Sequence, residues 1–269
     1  MALDIVKSVQ DIQQMYKDSI SSTYFRALIY GDKGTGKTNL ARTCRRPIFL
    51  QSFDPDGAST VRDCIEAGWI IADTKYEGDD PRDPKAFEAF DREYQMRKRE
   101  GFFENFGTVM IDSLTTLSAI IMNYVLKRNG HAGGIPVSGE KGKDNDYVYQ
   151  RTYLENIVSA LFKLPCDVIV TAHPDLSVGE DKKQYIGPLL TGQSAVKIPL
   201  LFSEMYATQI SQTAKGPAFA LLTGTNGLWR ASSRLNNLGQ LDQFEPPDIK
   251  ALMKKAGFNV DDKAIPWLM

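Results

Sequence analysis

The sequence predicts an α/β fold with a mostly parallel central sheet, helices on both faces and a C-terminal antiparallel hairpin. Three observations predict it. The stretch Gly31-Asp32-Lys33-Gly34-Thr35-Gly36-Lys37-Thr38 fits the phosphate-binding pattern G-x-x-x-x-G-K-[ST], after the apolar run Phe25 to Tyr30 and before a helical start at Asn39-Leu40-Ala41-Arg42. Short apolar runs recur at Ile48 to Phe53, Trp69 to Ala72, Val109 to Ile111 and Asp167 to Ala172, and helical stripes stand between them. That alternation builds a parallel sheet. Finally, Thr225-Asn226-Gly227 joins Phe219–Leu222 to Leu228-Trp229-Arg230-Ala231 as a hairpin.

The first motif is organised for a polyanion. Consecutive backbone N–H groups and a helix N-terminus surround phosphate, and side chains at Gly31, Gly34 or Gly36 would obstruct it. Asp32, Lys33, Thr35 and Asn39 complete the loop. Lys37 supplies a mobile charge between the β- and γ-phosphates of ATP, and the Thr38 hydroxyl takes one position on Mg²⁺, an ion that keeps most of its waters.

Composition narrows the alternatives. The 269 residues carry 32 Lys+Arg against 33 Asp+Glu, a formal net charge of −1, so no global basic field attracts nucleic acid and any DNA contact is local. Cys44, Cys64 and Cys166 form no C-x-x-C pair, which argues against a zinc site or a disulfide framework and for reduced core thiols. No stretch reaches the roughly 18 apolar residues that span a bilayer. A cytoplasmic location is expected, without membrane association.

Residues 1–21 carry Ile5, Val6, Val9, Ile12, Met15 and Tyr16 as a helical stripe expected to close on its own core, with a neighbouring molecule as the other possibility. The second strand ends in Asp54-Pro55-Asp56-Gly57. Ligands of open α/β sheets bind at that edge, so Asp54 or Asp56 can hold a water for attack on the γ-phosphate; the other reading is a turn with carboxylate caps. A short helix follows over 58–66, then a surface connection over 76–84 and a helix marked by Phe87, Phe90 and Tyr94. Its basic end, Arg97-Lys98-Arg99, reads as a solvated face rather than a DNA patch.

The strand Gly107 to Ile111 ends at Asp112, the carboxylate that faces Thr38 across the metal. A helix over 117–127 gives way to a glycine-rich stretch, 129–146, in which Lys141 and Lys143 are diluted by Glu140, Asp144 and Asp146. Asn145 or Asp146 caps the helix through Tyr153 to Phe162. The strand 167–172 ends at His173-Pro174, and residues 174–195 read as a second polar loop with Lys182, Lys183 and Tyr185. Strands at Glu204 to Ile210 and Phe219–Leu222 precede a short helix, Asp248 to Met253. The expected division is an N-terminal helix (1–21), a core (22–235) and a C-terminal helix and tail (236–269).

The P-loop, Asp54-Pro55-Asp56, Ile111-Asp112-Ser113, Thr171-Ala172-His173 and Gly192-Gln193 together resemble phage RecA-core P-loop ATPases, most closely the Sak-type single-strand annealing ATPases. Ser113 after Asp112 departs from the Glu usual in clamp-loader-like AAA+ ATPases. The resemblance implies a RecA-like core over roughly 22–235 that binds ATP and Mg²⁺, self-associates as a homo-oligomer, and acts on single-stranded DNA with single-strand-binding protein. It implies that loops 129–146 and 174–195 face DNA, with Tyr185 stacking on a base and the lysines on phosphate. It also implies a catalytic set of Lys37, Asp56 and His173. Asp56 stands where the family has a water-activating Glu, so hydrolysis is expected to be slow or DNA-stimulated, and His173 stands where a nucleotide-sensing Gln is common. Arg230 or Arg234 is a candidate finger toward a neighbour's nucleotide. A nucleotide-switched assembly or loader ATPase acting on protein partners is the second reading, favoured by the near-neutral charge.

Overall fold

The computed structural model describes residues 5–17, 23–138, 145–179, 182–214 and 216–268. Helix α1 (Ile5–Lys17) precedes β1 (Arg26–Tyr30), β2 (Ile48–Ser52), α2 (Arg62–Glu66) and β3 (Ile70–Asp73). Then come α3 (Ala86–Arg99), β4 (Thr108–Asp112), α4 (Leu114–Arg128), α5 (Asp146–Leu161), β5 (Asp167–Ala172), β6 (Pro174–Val178) and β7 (Gln184–Pro188). The chain closes with α6 (Ser194–Lys197), β8 (Glu204–Thr213), β9 (Gly216–Leu222), β10 (Ser232–Ser233), β11 (Phe244–Glu245) and α7 (Ile249–Lys255).

The main sheet runs β11-β9-β8-β1-β5-β4-β2-β3, with β10 paired to β8. From β3 to β8 every pairing is parallel, whereas β8–β9 and β9–β11 are antiparallel. The parallel strands are apolar through their middles because both faces are covered there. Leu28 and Tyr30 of β1, Val109 and Ile111 of β4, and Val168 and Val170 of β5 pack with Phe90, Leu117, Ile121, Leu154 and Val158 of α3, α4 and α5. The alternate residues Ala27, Ile29, Met110 and Ile169 face Leu40, Val61, Cys64, Leu252 and Met253. This is the fold class the sequence predicts.

The second face is covered differently from expectation. Instead of the α-helix expected from Asn39, Thr38–Thr43 forms a 3-10 turn, because the chain must reach Pro47 and enter β2 within a few residues. The C-terminal α7 fills the remaining space, with Ile249, Leu252 and Met253 buried and Asp248 accepting from Ala251 N at 2.9 Å as the helix cap.

Four other segments differ from the sequence reading. Residues 174–188 are an antiparallel hairpin, β6–β7, rather than a loop. The C-terminal hairpin is β8–β9, reversing at Gly216 with φ +108°, whereas Asn226 and Trp229 exchange backbone bonds in a separate small turn. Helix α1 buries none of its residues, so its stripe does not close the core among the described residues. Arg97 is no solvated cation: it pairs with Asp73 and Glu93 at 2.7 and 2.6 Å and lies over the Phe49 ring. Of the glycine-rich stretch, Asn129, His131 and Val137 N are pinned to the buried Asp146 carboxylate, and residues 139–144, with Lys141 and Lys143, lie outside the described residues. The cysteines are free and buried.

Candidate active site

The C-terminal ends of β1, β2, β4 and β5 meet around a cleft of about 730 Å³ lined by Gly34, Lys37, Thr38, Asp54, Asp112 and His173 among others. Its size suits a nucleotide. A second cleft of about 780 Å³, lined by Glu77, Asp79, Asp83 and Glu93, is acidic and has no phosphate-binding loop.

The P-loop glycines are required, for reasons more specific than clearance for phosphate. Gly34 and Gly36 adopt φ of +82° and +88°, which other L-residues resist. A Cβ at Gly31 would stand 1.9 Å from Thr208 Oγ1, so β8 approaches too closely for any side chain there. Thr35 bonds Thr208 Oγ1 at 2.6 Å and donates to Asp32 O at 2.7 Å, tying the loop to β8. Asp32, Lys33 and Asn39 are exposed on the loop surface.

Lys37 is buried and donates to Gly31 O and Asp32 O at 2.7 and 2.9 Å. Burial pushes its ammonium below the ordinary lysine value, while the carboxylates of Asp112, Asp54 and Asp32 hold the proton on. Asp112, at the end of β4, accepts from Thr38 Oγ1 at 2.5 Å through one oxygen and from Thr171 through the other. Burial raises its carboxyl above the usual range, the threonine hydroxyls oppose this, and Asp54 reinforces it.

Of the two aspartates in the Asp-Pro-Asp-Gly turn, Asp54 is the one that faces His173. It accepts from Ser113 Oγ at 2.8 Å and from Thr116 Oγ1 through Oδ1, and its Oδ2 lies 3.0 Å from His173 Nε2. Burial alone would raise this carboxyl, but the bonds from His173, Thr116 and Ser113 outweigh it and hold the group below the usual carboxylate range. Asp56, the residue placed in the catalytic set, is exposed on the rim in a left-handed backbone of φ 58°, with its own N–H donated to Glu77 at 3.1 Å. It serves the Asp-Pro-Asp-Gly turn that Gly57 N closes onto Asp54 O at 2.9 Å.

The residues fit magnesium. A Cβ at Gly57 would lie 2.9 Å from Ser52 Oγ and 3.7 Å from Asp112 Oδ2, so a side chain there would crowd the edge of the site beside Asp112. Among the described residues no three His, Cys, Asp or Glu groups cluster as a metal cage. One hydroxyl and one carboxylate, completed by water and phosphate, is the donor set magnesium takes.

Ser113, Thr116 and Thr171 join the site without a motif to mark them there, although Ser113 is legible as the α4 cap, accepting from Thr116 N. Thr208 carries no sequence signal of its own. Of the remaining candidates, Arg230 places its guanidinium 3.4 Å from the centre of the Tyr185 ring, so one face of that ring is already covered. Arg234 is exposed, and Gln193 accepts from Arg151 on the surface.

No helix among the described residues is long and apolar enough to cross a membrane. No curated protein is significantly similar to the chain in sequence. Among solved structures, a KaiC-like protein of Pyrococcus horikoshii is 13% identical, with a TM-score of 0.42 over 74% of this chain and 77% of its own. The flagellar accessory protein FlaH of Methanocaldococcus jannaschii is also 13% identical, with a TM-score of 0.38 over 78% of this chain and 82% of its own. Residues 23–235 match the family profile described as an AAA domain, a span that takes in the P-loop, Asp54, Asp112 and His173. The chain therefore belongs to the AAA domain family, as a P-loop ATPase.

Proposed function

We propose that the protein binds Mg²⁺·ATP in this cleft and hydrolyses it with Asp54, rather than Asp56, orienting the attacking water. The observation that carries this reading is the convergence of a P-loop lysine, a buried Thr38–Asp112 pair and a His173-held Asp54 on one cleft. Magnesium, when bound by Thr38 and Asp112, supplies charge neutralisation at the phosphates. Lys37 leaves the carbonyls of Gly31 and Asp32 for the phosphate oxygens. Asp54, ionised at neutral pH, accepts a hydrogen bond from water and aligns it. A loosely bonded phosphoryl transition state asks for alignment more than for a strong base, so a carboxylate below the usual range suffices.

The substrate on which this ATPase acts is proposed to be single-stranded DNA, in annealing or recombination, as the Sak-type resemblance implies, in a homo-oligomer working with single-strand-binding protein. What supports it is the β6–β7 hairpin, which follows His173 directly and returns to it through Leu189 N donating to His173 O at 2.7 Å, so a change at the nucleotide reaches the hairpin. Half-exposed Tyr185, with Lys182 and Lys183, is the proposed contact. The unburied stripe of α1 supports self-association. The loader reading is favoured by a different observation: Leu176 and Val178 of β6 are 57% and 64% exposed, as a protein-contact edge would have them.

An ATPase assay with and without oligo-dT tests the reading, together with the salt dependence of oligo-dT binding. Stimulation by DNA and binding that falls with log[salt] support the DNA role, because phosphate contacts release counterions. Turnover indifferent to DNA, with no salt-dependent binding, transfers the function to protein partners. A cytoplasmic site of action belongs to the same proposal.

A further inference from the structure

We infer that the β8–β9 hairpin is the platform on which the base of the bound nucleotide rests, with Phe219 as the stacking ring and Ile210 beside it. The inference deepens the nucleotide reading of the P-loop cleft and rests on it.

Thr208 fixes which way the hairpin faces. Its hydroxyl touches Thr35 and closes on Gly31, so that side of β8 looks onto the P-loop. Residues two apart on a strand share a face, which puts Ile210 on the same side. The register sets Phe219 opposite Ile210 and Leu221 opposite Thr208. Phe219 reaches the loop itself, its Cδ1 lying 3.7 Å from the place a Cβ on Gly36 would take. Yet Phe219 and Ile210 are 41% and 40% exposed. Two paired apolar side chains therefore border the phosphate loop and remain open on their outer side.

Sheet order supplies the direction. Asp112 on β4, Asp54 beyond β2 and His173 beyond β5 all stand on one flank of β1, and β8 and β9 stand on the other. The terminal phosphate belongs with Thr38, Asp112 and Asp54. The nucleoside then leaves the loop toward the opposite flank, where Phe219 offers a ring face to a planar base. Stacking of this kind tolerates different bases, so the platform adds affinity for nucleotides over bare phosphates without selecting one base strongly.

Titration calorimetry on the full chain tests this, with Mg²⁺·ATP and Mg²⁺·inorganic triphosphate as ligands and Phe219→Ala and Phe219→Tyr as variants. Circular dichroism checks that each variant is folded. Phe219→Ala is expected to weaken ATP by about tenfold, the order of one lost base–aromatic stack. Triphosphate affinity should stay unchanged, and Phe219→Tyr should restore ATP binding. ATP affinity unaffected by Phe219→Ala overturns the inference, and so does equal weakening of both ligands, which would mean the loop itself had shifted. A changed oligomeric state with ATP affinity intact also overturns it, by assigning the patch to a second copy. Wild-type protein that binds neither ligand removes the P-loop reading as well, an outcome distinct from the others.

Discussion

Replacing Asp54 by Asn separates the two aspartates of the Asp-Pro-Asp-Gly turn. The substitution keeps the shape of the side chain, and an oxygen at the Oδ1 position can still accept from Ser113 and Thr116. The amide then faces His173, whose ring can present a lone pair to it in the other tautomer. The fold should therefore lose little, on the order of 1 kcal/mol, the worth of one ordinary hydrogen bond. What is lost is the anion that aligns water. Positioned acid–base groups contribute about 10²–10⁴ in rate, or roughly 3–5 kcal/mol of barrier, so kcat should fall by that factor while KM changes less than about threefold. Asp56→Asn, on the exposed rim, should leave kcat within about threefold, as surface substitutions do. Steady-state phosphate release at saturating Mg²⁺·ATP reads both. Because Asp54 is held below the usual carboxylate range, it stays ionised from neutrality down to about pH 5, and it produces no acid limb in that interval. Full turnover in Asp54→Asn, or a collapse confined to Asp56→Asn, would refute the assignment.

Other perturbations probe the loop and the frame around it. Lys37→Ala should abolish detectable ATP binding with the melting temperature nearly unchanged; calorimetric titration and a thermal melt check the two halves. Gly31→Ala forces a methyl against Thr208 and should cost about 1–3 kcal/mol by overpacking, seen as a lower denaturant midpoint together with weaker ATP binding. Arg45→Ala breaks a buried pair with Asp167 at 3.1 Å and should cost about 3–5 kcal/mol. Burial raises the Asp167 carboxyl to about 6, above its unfolded value of about 3.9, so its contribution to stability falls as pH rises between the two. Loss of Arg45 pushes that carboxyl higher still. The Arg45→Ala deficit should therefore be larger at pH 8 than at pH 5, and urea unfolding at both values measures it.

What the sequence made legible was whatever local chemistry dictates. The P-loop is a contiguous motif whose glycines answer to backbone conformation, and Asp112 ends an apolar strand, so both could be read without knowing what packs beside them. The parallel strands were legible because a sheet buried on both faces leaves continuous apolar runs. The surroundings of Asp54 were not, since they are built by partners far along the chain. Ser113, Thr116 and His173 reach Asp54 only after β4 and β5 have been laid beside β2. The helix expected from Asn39 is a 3-10 turn for a similar reason: β2 begins only a few residues on, and α7 covers the neighbouring face. The hairpin at 174–188 was hidden by a polar sequence whose pairing needs no buried face.

His173 links these parts, and its bonds give the site a direction. Its ring reaches Asp54, its backbone N–H donates to Thr115 Oγ1 at 3.0 Å, and its carbonyl accepts from Leu189 N just after β7. Thr115 in turn donates to Leu189 O at 3.0 Å. These bonds join Asp54, through His173 and Leu189, to both ends of the β6–β7 hairpin, which also carries Tyr185 stacked on Arg230. The Asp54–His173 contact therefore ties the carboxylate proposed to align water to the strand pair that follows β5.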